Sequence, residues 1–211
     1  EVQKRYPGER YLRFRAPKQV VAEVAADYEK YLPLGLRTVQ FTDLNFLMNV
    51  KWLRAFCDEY RRVGLNEKLK WSAVTRPVHG TPAAIECLRD SGCVNLRVGT
   101  EAANPWMRNT VYRKGISQER LESGLRMIKD AGISITGYFI AGGPGERPEW
   151  LLESLDMARR IGVDFPVFFM YKPLADSDVL KQAPALGSFV RDDAEEKASD
   201  FLHGVSMHHR H

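Results

Sequence analysis

The sequence contains few cysteines and no long apolar segment. Only three of its 211 residues are cysteine, and its first residues do not resemble a signal peptide. We therefore expect a cytoplasmic protein of a reducing compartment and not a secreted disulfide scaffold. No apolar run approaches the roughly 20 residues with which a helix crosses a bilayer. The sequence predicts no membrane-spanning segment.

The three cysteines also lack the spacing of a metal site. Cys57, Cys87 and Cys93 are separated by 30 and 6 positions, which fits neither a zinc site nor an iron–sulfur site. Cys57 falls on the apolar side of a predicted helix, which favours packing in the core. None of the three is predicted to be a ligand or a nucleophile.

The sequence also lacks a run of residues with charge of the same sign. The chain has 31 Lys and Arg against 27 Asp and Glu, a net charge of +4 with the signs interleaved. This distribution makes a nucleic-acid partner unlikely, because such proteins usually carry a basic face or stripe. Apolar residues make up 44% and charged residues 27% of the chain, as in ordinary globular domains. The length fits one domain of roughly 100–200 residues with a tail.

One unit repeats along the chain. A glycine followed by an apolar residue ends each of several helical patterns, because glycine adopts the left-handed conformation that closes a helix. The apolar runs that follow are rich in β-branched and aromatic residues, as expected for strands that are buried on both faces. These runs are 38–42, 69–75, 94–100, 133–141 and 165–171.

Strands that alternate with helices indicate an α/β fold with a parallel sheet. An open doubly wound sheet would usually begin with a strand and a Gly-rich phosphate turn, whereas this chain begins with polar residues and a predicted helix at 17–31. We therefore predict a (β/α) barrel of the TIM type, complete or partial, over residues 1–183. Residues 184–211 are predicted to form a helix and a frayed tail.

Polar residues follow every predicted strand. In parallel barrels this end of the sheet carries the chemistry. Two carboxylates, a guanidinium and an ammonium meeting there suit a ligand with both an amine and a carboxylate, although such residues could also cap strands or pair across the rim. The glycine-rich turn matches neither phosphate-loop pattern, and His79 is predicted to be a loop residue. The candidates are Thr42, Asp43, Leu44, Arg76, Glu101, Gly142, Gly143, Tyr171 and Lys172.

These positions carry motifs of a known family. From about residue 11 to 180 the chain resembles the radical S-adenosylmethionine (SAM) enzymes, in order and at the expected spacing. The run GYFIAGGPGE at 137–146 is similar to their fifth-strand motif, and YKPL at 171–174 resembles the subgroup that adds a cobalamin-binding domain. The other matching segments are RFRAP at 13–17, VQFTDLNF at 39–46, Thr75-Arg76, and VGTE at 98–101 with Asn104.

The resemblance implies a partial (β/α)6 barrel that binds SAM beside a [4Fe–4S] cluster. The cluster would cleave SAM reductively to a 5′-deoxyadenosyl radical. By similarity, residues 42–44 would hold the SAM amine, Glu101 would contact its ribose or methionine portion, and Arg76 could assist its carboxylate. Gly142, Gly143 and the backbone at 171–172 would flank adenine. An electron donor, a small-molecule substrate and a cobalamin domain are the expected partners, and methyl transfer to carbon is the expected reaction.

The chain departs from the family in one respect. The first strand and the C-x-x-x-C-x-x-C loop that would bind the cluster are absent, and the sequence starts at Glu1 where that loop should have ended. We expect a fragment whose missing part supplies the cysteines; as written, the chain alone is predicted to be inactive. The alternatives are a cluster-free barrel that binds SAM or a partner, and an RNA-modifying relative.

Overall fold

A computed structural model describes residues 13–77, 81–172, 179, 181, 183–186, 188–190 and 207–209. The prediction for His79 lies outside these residues. The helices are α1 (Pro17–Tyr31), α2 (Val50–Arg62), α3 (Leu65–Lys68), α4 (Pro82–Asp90), α5 (Gln118–Asp130) and α6 (Pro148–Ile161). The strands are β1 (Thr38–Phe41), β2 (Lys70–Thr75), β3 (Cys93–Glu101), β4 (Ser134–Ala141), β5 (Phe165–Met170), β6 (Ser188–Val190) and β7 (Met207–His209).

The first five strands form one parallel sheet in the order β1-β2-β3-β4-β5. This order decides between the two predicted architectures, because a doubly wound sheet reverses its strand order at a switch point. Here each crossover moves the chain one strand further in the same direction. The α/β partial barrel is confirmed, with five of its expected strands. Residues 13–37 contain α1 and a short 3₁₀ turn but no strand.

The helices cover one face of this sheet. Strand residues that alternate along the chain are buried against them, among them Leu96, Val98, Ile135 and Phe139. The residues between these positions are partly exposed on the opposite side, which we call the open face. It carries polar groups: the Asn95 amide donates to the hydroxyls of Ser134 at 3.0 Å and Thr136 at 3.2 Å.

The expectation that all strands are buried on both faces is therefore wrong. The edge strand β5 shows this best, since Phe165 and Phe169 remain more than half exposed. A sheet that has not closed into a full barrel leaves one face and two edges without a cover in the described part of the chain. Apolar composition alone could not reveal this, because edge and central strands have similar sequences.

Local signals set the helix boundaries. Asn49, Thr81 and Ser117 each accept a hydrogen bond from the backbone amide three residues ahead, at the start of α2, α4 and α5. These side chains satisfy amides that a helix start leaves without a partner. Gly162 ends α6 in the left-handed conformation with φ of 79°, as the repeated glycine pattern predicts.

An aromatic cluster fills the space between α2 and the first two strands. Phe56 is fully buried, and its ring centroid lies 5.3 Å from Phe41, 5.3 Å from Phe46 and 5.4 Å from Trp71. Phe46 belongs to the loop that follows β1, and its amide donates to the Val74 carbonyl at 2.9 Å. The aromatic cluster therefore anchors the loop in which residues 42–45 lie.

Only short parts of the end of the chain are described. Pro184–Leu186 is a single 3₁₀ turn, and β6 pairs with β7 in an antiparallel ladder. The helix predicted within 184–211 would fall largely outside the described residues and stays a prediction. Among the residues that the structure describes, no helix is long and apolar enough to span a bilayer.

We expect Phe56→Ala to lower the free energy of unfolding by about 3–5 kcal/mol, because it leaves a cavity at the centre of the aromatic cluster. Urea denaturation followed by tryptophan fluorescence measures this change. Phe165→Ala is the matched control, since Phe165 is 59% exposed, and it should cost less than about 1 kcal/mol. Equal losses for the two variants would contradict the assignment of Phe56 to the core.

Candidate functional site

Parallel pairing brings the carboxyl ends of all five strands to one edge of the sheet. Thr42, Asp43 and Leu44 follow β1 and are exposed, Leu44 to 89%. The next residue, Asn45, accepts a hydrogen bond of 3.2 Å from the Thr75 hydroxyl at the end of β2. This bond and the Phe46 amide hold the β1 loop against the neighbouring strand end.

A cleft of about 350 Å³ opens between this loop and α1. Asp43 and Asn45 line it together with Glu23, Asp27 and Trp52. The Arg15 guanidinium forms an ion pair with Glu23 at 2.5 Å, which lowers the pKa of that carboxyl. The cleft thus combines carboxylates with an aromatic wall, but Arg76, Glu101 and the glycine turn do not line it.

Glu101 has an unusual backbone at the end of β3. Its φ is +67°, in the left-handed region that residues other than glycine seldom adopt, and the register with β4 shifts between Gly99 and Glu101. A Cβ atom added to Gly99 would lie 2.8 Å from the Glu101 Oε1 atom. The absent side chain of Gly99 therefore leaves room for this carboxylate. Bulges of this kind redirect a side chain next to functional sites.

Lys114 joins Glu101 to Arg76. Its Nζ atom lies 2.7 Å from the Glu101 Oε1 atom, and both side chains are largely shielded from solvent. Its backbone carbonyl accepts a 3.1 Å hydrogen bond from the Arg76 Nη2 atom. One carboxylate and two cationic side chains therefore meet at the ends of β2 and β3. The sequence analysis missed Lys114, although it lies in a basic Arg113-Lys114-Gly115 turn just before the cap of α5.

Arg108 fastens the loop that carries Lys114 over the end of β3. It is fully buried, and its Nη1 atom donates to the carbonyls of Ala102 and Ala103, both at 2.8 Å. Its Nε atom donates to the Ile116 carbonyl at 3.0 Å. The same arginine thus ties the residues just after Glu101 to a residue just after Lys114. It also lies in a short π-helical turn, Met107–Val111, a feature that often occurs at functional sites.

The glycine-rich turn after β4 is held by its own carboxylate. The Glu146 Oε2 atom accepts hydrogen bonds from the Gly142 amide at 2.5 Å and the Gly143 amide at 3.3 Å. Its other oxygen is buried without a hydrogen-bond partner among the described residues. Burial raises the pKa of Glu146, and the two amides only partly offset this effect.

Tyr112 contacts two of the predicted site residues, Gly143 and Tyr171. A Cβ atom added to Gly143 would be 2.0 Å from the Tyr112 hydroxyl, so only glycine fits there. The ring of Tyr112 also lies 6.2 Å from that of Tyr171. Burial raises the pKa of the Tyr112 phenol, and the nearby Glu146, Tyr171 and Glu101 raise it further. The phenol therefore keeps its proton, and its buried oxygen makes no hydrogen bond within the described residues.

The structure brings the candidates together in two groups. Arg76 and Glu101 meet through Lys114, and Gly143 and Tyr171 meet at Tyr112. Residues 42–44 follow β1 on the same edge and are exposed, and Lys172 is exposed beyond β5. Their roles in binding stay predictions.

The donors at this edge are oxygen and nitrogen groups, which suit a polar organic ligand better than an iron–sulfur cluster. Among the described residues, no group of three or more His, Cys, Asp or Glu side chains could hold a metal ion. Cys57 and Cys87 lie on helices, and Cys93 begins β3 at the opposite edge of the sheet. The described part of the chain therefore does not supply the ligands of a [4Fe–4S] cluster.

Comparison with known families decides the relationship. The model of the radical SAM superfamily matches residues 4–158, which include the first four strands of the sheet and their carboxyl ends. The chain belongs to the radical SAM superfamily. The resemblance inferred from the strand-end motifs is thereby confirmed at the level of the family.

Curated proteins related to this radical SAM chain include two kinds of enzyme. The chain is 30% identical to an anaerobic magnesium-protoporphyrin IX monomethyl ester cyclase of Cereibacter sphaeroides, over 76% of this chain and 26% of the relative. It is 24% identical to an uncharacterised methyltransferase of Pyrococcus horikoshii, over 79% of this chain and 35% of the relative. The chain therefore spans about a quarter to a third of these proteins.

Solved structures show the same fold. The radical SAM methyltransferase TsrM of Kitasatospora setae, with cobalamin and a [4Fe–4S] cluster bound, superposes with a TM-score of 0.67 at 18% identity. That match covers 82% of this chain and 37% of the other. Coproporphyrinogen III oxidase of Escherichia coli superposes with a TM-score of 0.54 at 21% identity, over 75% of this chain and 36% of the other.

We expect Arg108→Met to lower the free energy of unfolding by about 2–5 kcal/mol, because the buried carbonyls of Ala102 and Ala103 lose their donor and that of Ile116 keeps only Asn109. Chemical denaturation measures the loss. Arg120→Met is the control, since Arg120 is exposed on α5 and its removal should change stability by less than about 0.5 kcal/mol. A neutral Arg108→Met would show that the loop does not depend on this arginine.

Glu146 should make the stability of the protein depend on pH. Its pKa is higher in the folded state than in the unfolded state, so the folded protein takes up this proton first as the pH falls. Wild type should therefore gain stability relative to Glu146→Gln between pH 7.5 and about pH 5, above the unfolded pKa of about 4.3. Denaturation of both proteins at the two pH values measures the difference. A difference that does not change with pH would contradict the raised pKa.

Proposed function

We propose that this chain is the SAM-binding barrel of a radical SAM enzyme that works with a cobalamin-binding domain to methylate carbon. One observation carries the proposal: Glu101 and Lys114 form a shielded ion pair beside Arg76 at the carboxyl edge of the sheet. In parallel barrels this edge holds the active site. A left-handed non-glycine residue at such an edge is strain that functional sites commonly retain.

The charges of this group suit the methionine portion of SAM, which carries an amine and a carboxylate. Glu101 would accept hydrogen bonds from the ribose or the amine, and Arg76 would pair with the carboxylate, with Lys114 setting the position of both. Because Lys114 already neutralises Glu101, Arg76 would keep a net positive charge for the carboxylate of SAM. The exposed Asp43 in the β1 loop would hold the amine from the other side.

The glycine turn would accept the adenine. Gly142 has φ of +78°, and Gly143 leaves space that the Tyr112 hydroxyl fills. Backbone without side chains can approach a flat ring closely, and Tyr171 and Lys172 would border the ring on the β5 side. The Tyr112 phenol keeps its proton. It would therefore donate a hydrogen bond to a nitrogen atom of adenine.

A [4Fe–4S] cluster, when bound, would supply the electron that cleaves SAM to a 5′-deoxyadenosyl radical. Its cysteine ligands would come from outside the described residues. An electron donor and a small-molecule substrate would be the other partners, and a reducing cytoplasm would suit the cluster. The relatives named as methyltransferases support methyl transfer as the reaction.

A second function is a barrel that binds SAM or a partner without radical chemistry. In either case the described residues would supply the SAM site and not the ligands of a cluster. Both functions require the same SAM site, so they differ only in what SAM undergoes after it has bound.

We expect Glu101→Ala and Asp43→Ala each to weaken SAM binding about 10- to 100-fold, because each removes a hydrogen bond to a charged group worth about 1.5–3 kcal/mol. Isothermal titration calorimetry with SAM measures the affinity. Glu119→Ala is the control, since Glu119 is exposed on α5 and should leave binding unchanged. Unchanged affinity for SAM in both test variants would contradict the assignment of Glu101 and Asp43 to the SAM site.

The same preparation separates the two functions. After anaerobic reconstitution with iron, sulfide and a strong reductant, the radical enzyme should bind about four irons per chain and release 5′-deoxyadenosine from SAM. SAM binding without iron uptake or cleavage, in a protein that includes every segment of its gene, would support the cluster-free barrel.

A further inference from the structure

A charged side chain lies at the centre of the open face. Arg97 belongs to β3, the middle strand of the sheet, and stands between Leu96 and Val98, which are fully buried against the helices. Successive side chains of a strand point to opposite faces of the sheet. Arg97 therefore belongs to the open face, where it is only partly exposed. Its guanidinium carries a positive charge and a planar fork of donors.

The described part of the chain does not balance this charge. In register, Arg97 lies beside Val74 of β2 and Thr136 of β4, neither of which is charged. The Thr136 hydroxyl bonds instead to the side-chain amide of Asn95, at 3.2 and 3.3 Å. Arg97 itself forms no hydrogen bond or ion pair with the described residues. The guanidinium is therefore available to an anion from outside the chain.

Other cations of the sheet have partners that Arg97 lacks. The Lys70 Nζ atom, at the start of β2, donates to the Asn66 carbonyl at 2.7 Å. Lys114 is paired with Glu101 at the carboxyl edge. Taking a charge out of water without a partner costs free energy. A half-buried arginine in the middle of the sheet that lacks such a partner thus favours a role in binding a ligand.

Aromatic rings border Arg97 on the side of β5. Phe165 is in register with Thr136, two strands from Arg97, and is 59% exposed. Further along the same face, the rings of Tyr138 and Phe169 meet edge to face with their centroids 5.4 Å apart. Neighbouring strands lie about 4.8 Å apart, so the backbones of Arg97 and Phe165 are separated by about 10 Å. A flat molecule of two fused rings would bridge this distance.

We propose that the open face binds the substrate, and that this substrate is a planar aromatic carboxylate held by Arg97 with its rings against Phe165 and Phe169. A carboxylate matches the fork of a guanidinium, and exposed rings provide surfaces for stacking. One cation balances one negative charge, which favours a carboxylate over a phosphate dianion. The inference rests on the proposed function, because Glu101 ends the same strand and a molecule on the open face would extend from Arg97 towards SAM.

The first test compares ligands in the wild-type protein. Isothermal titration calorimetry with 2-naphthoate, a flat bicyclic carboxylate, measures the affinity of the open face. Wild type should bind 2-naphthoate at least about tenfold more tightly than 2-naphthalenemethanol, which has the same rings but no charge. Equal affinities, no binding of 2-naphthoate, or tighter binding of 2-naphthyl phosphate would each overturn the proposal.

The second test uses variants of the two kinds of contact. Arg97→Gln should weaken binding of 2-naphthoate about 10- to 100-fold, because a hydrogen bond to a charged group is lost, and should bind 2-naphthalenemethanol as wild type does. Phe169→Ala should weaken binding of both ligands roughly 3- to 10-fold, because it removes a ring contact. Arg120→Gln is the matched control, since Arg120 is exposed on α5, and it should bind both ligands as wild type does.

Far-ultraviolet circular dichroism establishes whether Arg97→Gln is folded. A folded Arg97→Gln that binds 2-naphthoate as tightly as wild type would overturn the proposal. If this variant does not fold, the comparison of ligands in wild type decides the question.

Titration of the same wild-type protein with SAM tests the proposed function separately. Binding of SAM without binding of 2-naphthoate would overturn the assignment of the substrate alone. Binding of 2-naphthoate without binding of SAM would contradict the proposed SAM site and support the anion site at Arg97.

Discussion

Successive parallel pairing of β1 to β5 is the constraint on which the rest of this structure depends. Because every crossover has the same hand and moves the chain by one strand, the helices must share one face and the strand ends must share one edge. A core forms only between the helices and the sheet, where Leu96, Ile135 and Phe139 are fully buried. The open face carries polar groups such as those of Asn95, Ser134 and Thr136.

The same constraint explains why the site is assembled from distant parts of the sequence. Arg76 follows β2 and Glu101 ends the neighbouring strand β3, and Lys114 bonds to both residues. The loop from Glu101 to Lys114 then returns over its own strand and is tied down by Arg108. Three buried hydrogen bonds from Arg108 thus hold the loop in the position that places Lys114 beside Glu101. Loss of Arg108 would therefore disturb the site without touching any ligand.

Burial controls the ionisable groups beside the glycine-rich turn. It raises the pKa of Glu146 and of the Tyr112 phenol, so both groups keep their protons to a higher pH than they would in water. The ion pair between Glu101 and Lys114 at the same edge instead holds two opposite charges.

Periodicity and glycine positions predicted all five parallel strands and α1, because helix and strand formation follow from local spacing and backbone preference. The motifs at the strand ends identified the family, since a parallel sheet fixes where such residues must lie. The helix predicted within 184–211 rested on no repeat and stays a prediction, since only a 3₁₀ turn and two short strands are described there.

The sequence by itself thus determined the fold class, the order of the elements and the edge that carries the candidate site. Only the tertiary structure decided which residues meet there: Lys114 with Glu101, and Tyr112 with Gly143. These contacts depend on a bulge in β3 and on a buried arginine. Such features depend on how separate segments of the chain pack against each other. Local patterns of residues therefore do not predict them.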